Sequence, residues 1–403
     1  MSILRGKNII LGVTAGIAAY KSPLLLRLLI KSGAEVRVVM TPSAKDFVTP
    51  LTLSTLSGNP VLSDFTSKDD ENALWNNHVE LGVWADLFII APVTANTLSK
   101  MVNGTSDNFL IATYLSAKCK VYFAPAMDLD MYKHPTTQKA FDVLQSYGNI
   151  LIPSAYGELA SGLTGKGRMA EPEDILQTIE LSIMKGLPLY GKKILITAGP
   201  TYEQIDPVRF IGNFSTGKMG VELANSASRK GASVTLICGP TKFKPTESSV
   251  VTISVSSAEE MFNKVHEYFD STDVAILSAA VADYKPVKTS PSKIKKTSDH
   301  LNIELEETKD ILASLGQLKN KQILIGFALE TDNEIENAKM KIKSKNLDFI
   351  VLNSLNDKGA GFGETTNKIT IIDNDFNEKT FPLKTKEEVA NDIIDELLTK
   401  IDV

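Results

Sequence analysis

Lys7-Asn8-Ile9-Ile10-Leu11-Gly12-Val13-Thr14-Ala15-Gly16 is a short apolar run that ends in small residues and glycine. Consecutive apolar positions suit a strand buried on both faces of a parallel sheet, and the small residues suit a tight turn into a helix. Lys31-Ser32-Gly33-Ala34-Glu35-Val36-Arg37-Val38-Val39 then supplies the end of that helix and a second strand. The unit is β-α-β. It starts again at Lys192-Lys193-Ile194-Leu195-Ile196-Thr197-Ala198-Gly199-Pro200 and continues in Lys230-Gly231-Ala232-Ser233-Val234-Thr235-Leu236-Ile237. The loops after the two first strands differ. Two nucleotide-type pockets of different design, and two activities on one polypeptide, are expected.

Working outward, strands are predicted at Val36–Met40, Leu87–Ala91, Lys120–Ala124 and Asn149–Ile152, with helices between them such as Pro23–Ser32. In the second half they fall at Lys193–Thr197, Ser233–Cys238, Val274–Ser278, Ile323–Phe327 and Phe349–Leu352. Thr366–Ile372 and Glu378–Pro382 read as a late antiparallel hairpin. The expected fold is α/β, two doubly wound, Rossmann-like parallel-sheet domains in tandem. They should cover residues 1–188 and 189–403, with Gly186-Leu187-Pro188 as the linker. Tyr156–Met169 holds Gly157, Gly162, Gly165 and Gly167, which predicts a mobile loop able to act as an active-site flap.

Composition narrows the classes. At 403 residues the chain suits more than one core, and 43% hydrophobic with 23% charged residues is ordinary for a globular protein. A net charge of -5 gives no footprint for nucleic acid. Cys119 and Cys238 are too few for a disulfide framework or a zinc site, which fits a reducing compartment. No stretch is apolar enough to cross a bilayer, and a strand follows the first few residues too closely for a signal peptide, so a cytoplasmic protein without a membrane partner is expected.

The turn Gly12–Lys21 is small-residue and leads into a helix, an arrangement whose backbone N–H groups can close on a phosphate. It lacks G-x-G-x-x-G, so alone it equally suits a plain strand–helix turn. Four further segments accompany it: Trp75-Asn76-Asn77-His78-Val79-Glu80-Leu81, Ala91-Pro92-Val93-Thr94-Ala95-Asn96-Thr97, Ser106-Asp107-Asn108 and Ala124-Pro125-Ala126-Met127-Asp128-Leu129-Asp130-Met131. On these residues the first half resembles the flavin-dependent cysteine decarboxylases, over roughly residues 5–185. The nearest resemblance is to the decarboxylase half of the bifunctional phosphopantothenoylcysteine decarboxylase/phosphopantothenate–cysteine ligase family.

That resemblance implies FMN held by Gly12, Thr14, Gly16, Ile17 and Ala18, with Ser43, Thr94 and Asn96 completing the site, and His78 as the base. FMN would take a hydride from the substrate's CH2–SH, creating an electron sink for the departing carboxylate, and later return it. An imidazole of pKa about 6.5 suits proton transfer at neutral pH. Without the flanking motifs, His78 reads as a helix-capping or core histidine. The chain departs from the family pattern at Asp128, where asparagine is usual, and at Ser161, where the flap's Ala-Cys-Gly cysteine usually protonates the product. A hydroxyl is a far weaker acid than a thiol of pKa about 8.5. Two roles for Asp128 stay open: a protonated acid, or a hydrogen-bonding substitute for asparagine with water as donor.

In the second half, Gly212-Asn213-Phe214-Ser215-Thr216-Gly217-Lys218 matches G-x-x-x-x-G-K, but Met219 stands where Mg²⁺ would need a hydroxyl, and a long loop precedes it. A Walker A site is excluded. With Asp206-Pro207-Val208-Arg209, Ala279-Ala280-Val281-Ala282-Asp283-Tyr284, Lys293-Ile294-Lys295-Lys296 and Gly326-Phe327-Ala328-Leu329-Glu330-Thr331, this half resembles the ligase half of the same family. The resemblance implies activation of the 4′-phosphopantothenate carboxylate by CTP and displacement of CMP by cysteine. Asn213 would stabilise the acyl-cytidylate and Lys293 the developing charge. CTP would lie on Leu277, Ser278, Ala279, Asp283, Lys293, Lys309, Asp310, Ile311, Leu312, Phe327, Lys341 and Lys345. Asp283 can accept from the cytosine amino group. Mg²⁺ is expected on phosphate oxygens, its protein ligands unassigned. By themselves, Lys288–Asp299 reads as a solvated charged strip and Lys341/Lys345 as a common surface pair.

The resemblance further implies a homo-oligomer, with trimeric decarboxylase units joined by dimeric ligase units. Three other readings compete. A non-catalytic flavoprotein subunit predicts loss of the histidine or long acidic tails, an FMN-dependent prenyl-transfer enzyme leaves the second half unexplained, and an NAD-linked dehydrogenase lacks its fingerprint.

Overall fold

The computed structural model describes residues 2–66, 75–296, 300–330, 332–354, 359–361 and 363–401. Thr331 of the Gly326–Thr331 motif and residues 297–299 of the charged strip lie outside the described residues. The chain divides into two compact units, residues 1–184 and 185–403.

In the first unit, β1 (Asn8–Val13), β2 (Glu35–Met40), β3 (Leu87–Val93), β4 (Lys120–Pro125) and β5 (Ile150–Leu151) form one sheet in the order 2-1-3-4-5. Every pairing is parallel. Each residue of β3 is buried, the pattern of a strand covered on both faces. One apolar layer packs Leu25, Leu26 and Leu29 of the helix Ser22–Lys31 against Ile9, Leu11 and Val38. The opposite layer packs Phe109, Leu110 and Phe141 against Ile10, Phe88 and Ile90.

Residues 155–168 differ from the expected mobile loop. They form an antiparallel hairpin, β6 (Ala155–Glu158) with β7 (Thr164–Arg168). The reason lies in what faces the glycines. A Cβ on Gly167, whose φ is +141°, would sit 2.4 Å from the Met127 carbonyl oxygen, and Met127 N–H donates to the Gly167 carbonyl at 3.0 Å. Glycine allows the hairpin to lie against the Met127–Asp128 backbone.

The second unit's main sheet runs Val251–Ser254, Ser233–Cys238, Lys193–Ala198, Val274–Leu277, Ile323–Glu330, Phe349–Ser354, Ile369–Asp373, Glu378–Thr380. Its parallel strands, counted along the chain, follow the order 3-2-1-4-5-6, and the last two strands pair antiparallel as expected. The helix Lys218–Arg229 crosses so near the sheet that a Cβ on Gly220 would lie 2.4 Å from the Ala198 side chain. The C-terminal helix Lys386–Lys400 buries Val389, Ile393 and Leu397 in the same layer. A capping box fixes its start: the Thr385 hydroxyl accepts from Glu388 N–H at 3.3 Å, and the Glu388 carboxylate accepts from Thr385 N–H at 2.9 Å. Among the described residues no helix is long and apolar enough to cross a membrane.

Candidate active sites

Each sheet has one place where the strand order reverses direction, and in open α/β sheets ligands sit there, beyond the strands' carboxyl ends. In the first unit that place lies between β1 and β3. A cavity of about 910 Å³ opens there, walled by Ala15–Ala18, Thr41–Ser43, Thr94–Thr97, Asn108, Ala126–Asp128 and the hairpin residues Glu158–Ala160 and Gly167–Met169.

Gly16, Ile17, Ala18, Ser43, Thr94, Asn96 and Asp128 all line this cavity. Gly12 and Thr14 do not. The Gly12 α-carbon faces Phe88, with 3.0 Å available to a Cβ, so its smallness serves sheet–helix packing. Thr14 is fully buried; its hydroxyl donates to the Pro92 carbonyl at 2.9 Å and accepts from Thr94 N–H at 3.1 Å. It fastens the cavity's two walls together. Ser161 is exposed at the hairpin tip, next to the lining residue Ala160.

His78 lies apart from the cavity of its own chain. It starts the helix His78–Trp84, which Asn77 caps by accepting from Val79 and Glu80 N–H at 3.1 Å. Its ring meets Phe65, Trp75 and Phe109 edge-on at 5.9, 6.3 and 6.4 Å, and its buried Nδ1 has no hydrogen-bond partner. Asp128 caps the short helix Leu129–Lys133, accepting from Leu129 N–H at 2.6 Å.

The cavity fits a flavin mononucleotide on its own terms. The short helix Ile17–Lys21 has no side-chain cap, leaving N–H groups of the small-residue turn available to a phosphate. The buried Thr41 hydroxyl lines the cavity with no partner, a polar atom that a ligand would satisfy. Ile17, 63% exposed, offers an apolar surface to a ring. Thr41 and Lys21 were not singled out from sequence. Lys21 is buried and donates to the Met169 carbonyl at 3.0 Å and to Glu171 at 2.9 Å, anchoring the hairpin's end. The ammonium of Lys21, with help from Arg168, holds the Glu171 carboxyl below its ordinary pKa despite some desolvation.

In the second unit the reversal falls between Lys193–Ala198 and Val274–Leu277, and a cavity of about 600 Å³ lies there. Asn213, Leu277, Ser278, Ala279, Asp283, Lys309, Asp310, Ile311, Leu312, Phe327 and Lys345 line it. Asn213 donates to the carbonyls of Ala280 and Val281, at 3.1 Å each, which aims its amide along the cavity wall. The Asn353 amide oxygen is buried in this cavity without a partner.

Lys293 and Lys341 are not among the lining residues. Lys341 pairs with Glu330. Lys293 is exposed, and the neighbouring Ile294 N–H donates to Asp206 at 3.2 Å. Asp206, 1% exposed, also accepts from Val208 and Arg209 N–H at 2.8 and 2.9 Å, and Arg209 donates to the Ile294 carbonyl at 3.2 Å. Burial alone would raise the Asp206 pKa, but these hydrogen bonds and the Arg209 charge outweigh it and bring it below the ordinary value. The Asp206–Arg209 motif therefore ties down the loop that carries Lys293. Two residues that sequence reading did not assign, Lys218 and Lys386, line the cavity. Among the described residues no cluster of His, Cys, Asp or Glu forms a metal site.

The family described as Flavoprotein matches residues 2–184, and the DNA/pantothenate metabolism flavoprotein C-terminal domain matches residues 189–401. The chain is 55% identical to a cysteine/cysteine sulfinic acid decarboxylase of an unknown prokaryotic organism, over 88% of this chain and 99% of that protein. It is 42% identical to the coenzyme A biosynthesis bifunctional protein CoaBC of Bacillus subtilis strain 168, over 98% of this chain and 97% of that one. A solved C-terminal domain of a coenzyme A biosynthesis bifunctional protein CoaBC is 44% identical, covering 53% of this chain and 98% of its own, with a TM-score of 0.46. A solved cysteine-to-serine mutant of a PPC decarboxylase, complexed with pantothenoylaminoethenethiol, is 33% identical, covering 44% of this chain and 99% of its own, with a TM-score of 0.41. On both family matches and the near full-length identity, this chain belongs to the family of the bifunctional coenzyme A biosynthesis flavoproteins.

Proposed function

We propose that this chain joins 4′-phosphopantothenate to cysteine with CTP in its second unit and decarboxylates the product to 4′-phosphopantetheine with FMN in its first. The observation that carries this reading is the pair of dissimilar cavities, one at each sheet's reversal point, in a chain matched along its length by bifunctional relatives.

FMN supplies a reversible two-electron sink for loss of the carboxylate. The chain's residues do the rest. Ala15–Ala18 and Thr41 hold the phosphate side, the β6–β7 hairpin covers the cavity, and Asp128 holds the substrate beside Met127. In the second cavity Asp283 accepts from the cytosine amine, Phe327 packs on the base, and Asn213 orients the activated carboxylate. Mg²⁺ brought in with CTP would supply charge neutralisation to its phosphates. The protein works in the cytoplasm.

His78 reaches a flavin cavity only if that cavity belongs to a neighbouring copy, which supports a homo-oligomer. Trimeric decarboxylase units and dimeric ligase units are what the family resemblance implies for it. Trp75, Val79 and Val83, between 51% and 61% exposed beside His78, supply an apolar surface for the trimer contact. Co-refolding a His78→Asn chain with an Asp128→Ala chain tests this. Partial recovery of decarboxylation supports shared cavities; none contradicts them.

A second reading of the first cavity has a specific basis: the 55% identical relative is a cysteine/cysteine sulfinic acid decarboxylase. Asp128 and Ser161 stand where the family pattern has asparagine and cysteine, so the cavity's substrate is the point to test. Flavin oxidation needs a CH2–SH group, which cysteine and phosphopantothenoylcysteine possess and the sulfinic acid lacks. The test is CO2 release by the FMN-loaded protein from each of the three compounds separately. Preference for phosphopantothenoylcysteine supports the main reading; preference for cysteine establishes the second. Release from the sulfinic acid would show a route that does not pass through oxidation of CH2–SH.

A further inference from the structure

Lys386 is 5% exposed, yet it lines the second cavity. Its Nζ donates to the Gly361 carbonyl at 3.2 Å, and among the described residues no carboxylate pairs with it. Lys218, on the same cavity, makes no ion pair among the described residues either; its ammonium lies 5.8 Å from the Phe243 ring. A buried cation whose remaining donors face a cavity is expensive to keep unless something negative arrives there. Burial, and after it the positive charge of Lys218, bring the Lys386 pKa below the ordinary lysine value, with Glu364 partly offsetting them.

The position is built, not incidental. The capping box at Thr385 and Glu388 fixes the first turn of the helix, and Lys386 N–H donates to the Thr365 carbonyl at 3.1 Å. Opposite, the helix Lys218–Arg229 starts at the cavity with no side-chain cap. The other lining cations are already engaged: Lys345 pairs with Asp310 at 2.8 Å, and Lys309 sits 4.8 Å from the Phe262 ring. The Gly212–Lys218 segment lacks a Walker hydroxyl, but an anion held by two lysines needs none.

We infer that Lys386 and Lys218 form a phosphoryl-anion subsite of the second cavity, which takes either the polyphosphate of the nucleotide or the phosphate ester of the acid substrate. This deepens the ligase reading and rests on it.

The test is calorimetry on the full-length, FMN-loaded protein with inorganic pyrophosphate, CTP and 4′-phosphopantothenate, for wild type, Lys386→Met, Lys386→Arg and Lys218→Met. The inference expects Lys386→Met and Lys218→Met to weaken pyrophosphate binding at least about tenfold, with Lys386→Arg recovering most of it. A matching loss for CTP assigns the subsite to the polyphosphate; a matching loss for phosphopantothenate alone assigns it to the phosphate ester. Circular dichroism and thermal unfolding of each variant check that its second unit, residues 185–403, is folded. Unchanged affinity for all three ligands in folded Lys386→Met overturns the inference while leaving the ligase reading intact. A wild-type protein that does not bind CTP overturns the ligase reading itself.

Discussion

Lys345 Nζ lies 2.8 Å from Asp310 Oδ2, so a lysine and a carboxylate that both line the second cavity neutralise each other at its edge. Asp310 also caps the helix Ile311–Leu318, accepting from Ala313 N–H at 2.9 Å. Although burial raises its pKa, the Lys345 hydrogen bond and charge and the capping N–H groups bring it below the ordinary value. The pair is therefore intact throughout the neutral range. On the proposed CTP reading, an incoming polyphosphate would have to draw Lys345 away from Asp310.

Asp310→Asn keeps the cap, since asparagine caps as well as aspartate, and releases Lys345. CTP should bind several-fold more tightly, with folding stability changed by less than about 1 kcal/mol. Calorimetry and thermal unfolding check the two parts.

Asp128 spends one oxygen on Leu129 N–H, as a helix cap does. That contact favours the hydrogen-bonding role over the acid role. Asp128→Asn should then retain the fold and reduce product protonation by no more than a few-fold. A loss of about 10²-fold or more, measured as accumulated oxidised product, would establish the acid role instead.

Gly167 cannot take a side chain without displacing the Met127 carbonyl. Gly167→Val should destabilise the first unit by about 1–3 kcal/mol and depress decarboxylation strongly. CTP-dependent ligation should be unchanged, because its cavity lies wholly in the other unit. Parallel assays on one preparation make the comparison.

Asp206 supplies a pH dependence whose sign is fixed. Its folded pKa lies below the unfolded value, so its contribution is complete above the ordinary aspartate range and fades as pH falls through the folded value. Asp206→Asn should therefore lower stability at pH 7 and flatten the acid limb of the stability–pH curve. It should also free the Ile294 loop and raise KM in the ligase assay. Denaturant unfolding between pH 3 and pH 7, in steps of about one unit, reads the first effect.

The sheets were legible because their information is local. Lys7–Gly16 and Lys192–Pro200 carry strand, turn and helix start in consecutive residues. Most residues named from the resemblance line one cavity or the other. The resemblance did not distinguish Thr14, which braces the wall, from Ser43, which lines it, because both are small hydroxyl residues beside a strand end. Lys386 was unreadable for a different reason. Lys384-Thr385-Lys386-Glu387-Glu388 reads as an ordinary charged helix start, and only the Gly361 and Lys218 segments, far away in sequence, turn one of its lysines inward. Glycines at 165 and 167 suggested mobility because their partners, Leu129 and Met127, lie outside any local window.

On the proposed function, ligation and decarboxylation run in series on one chain. The direct measurement supplies the purified, FMN-loaded protein with 4′-phosphopantothenate, cysteine and Mg²⁺, and follows pyrophosphate and CO2 together after addition of CTP. Serial action predicts that pyrophosphate appears first, that CO2 follows it towards a one-to-one ratio, and that omitting phosphopantothenate stops both. Steady CO2 release from cysteine with no CTP present, or pyrophosphate release that is never followed by CO2, would contradict it.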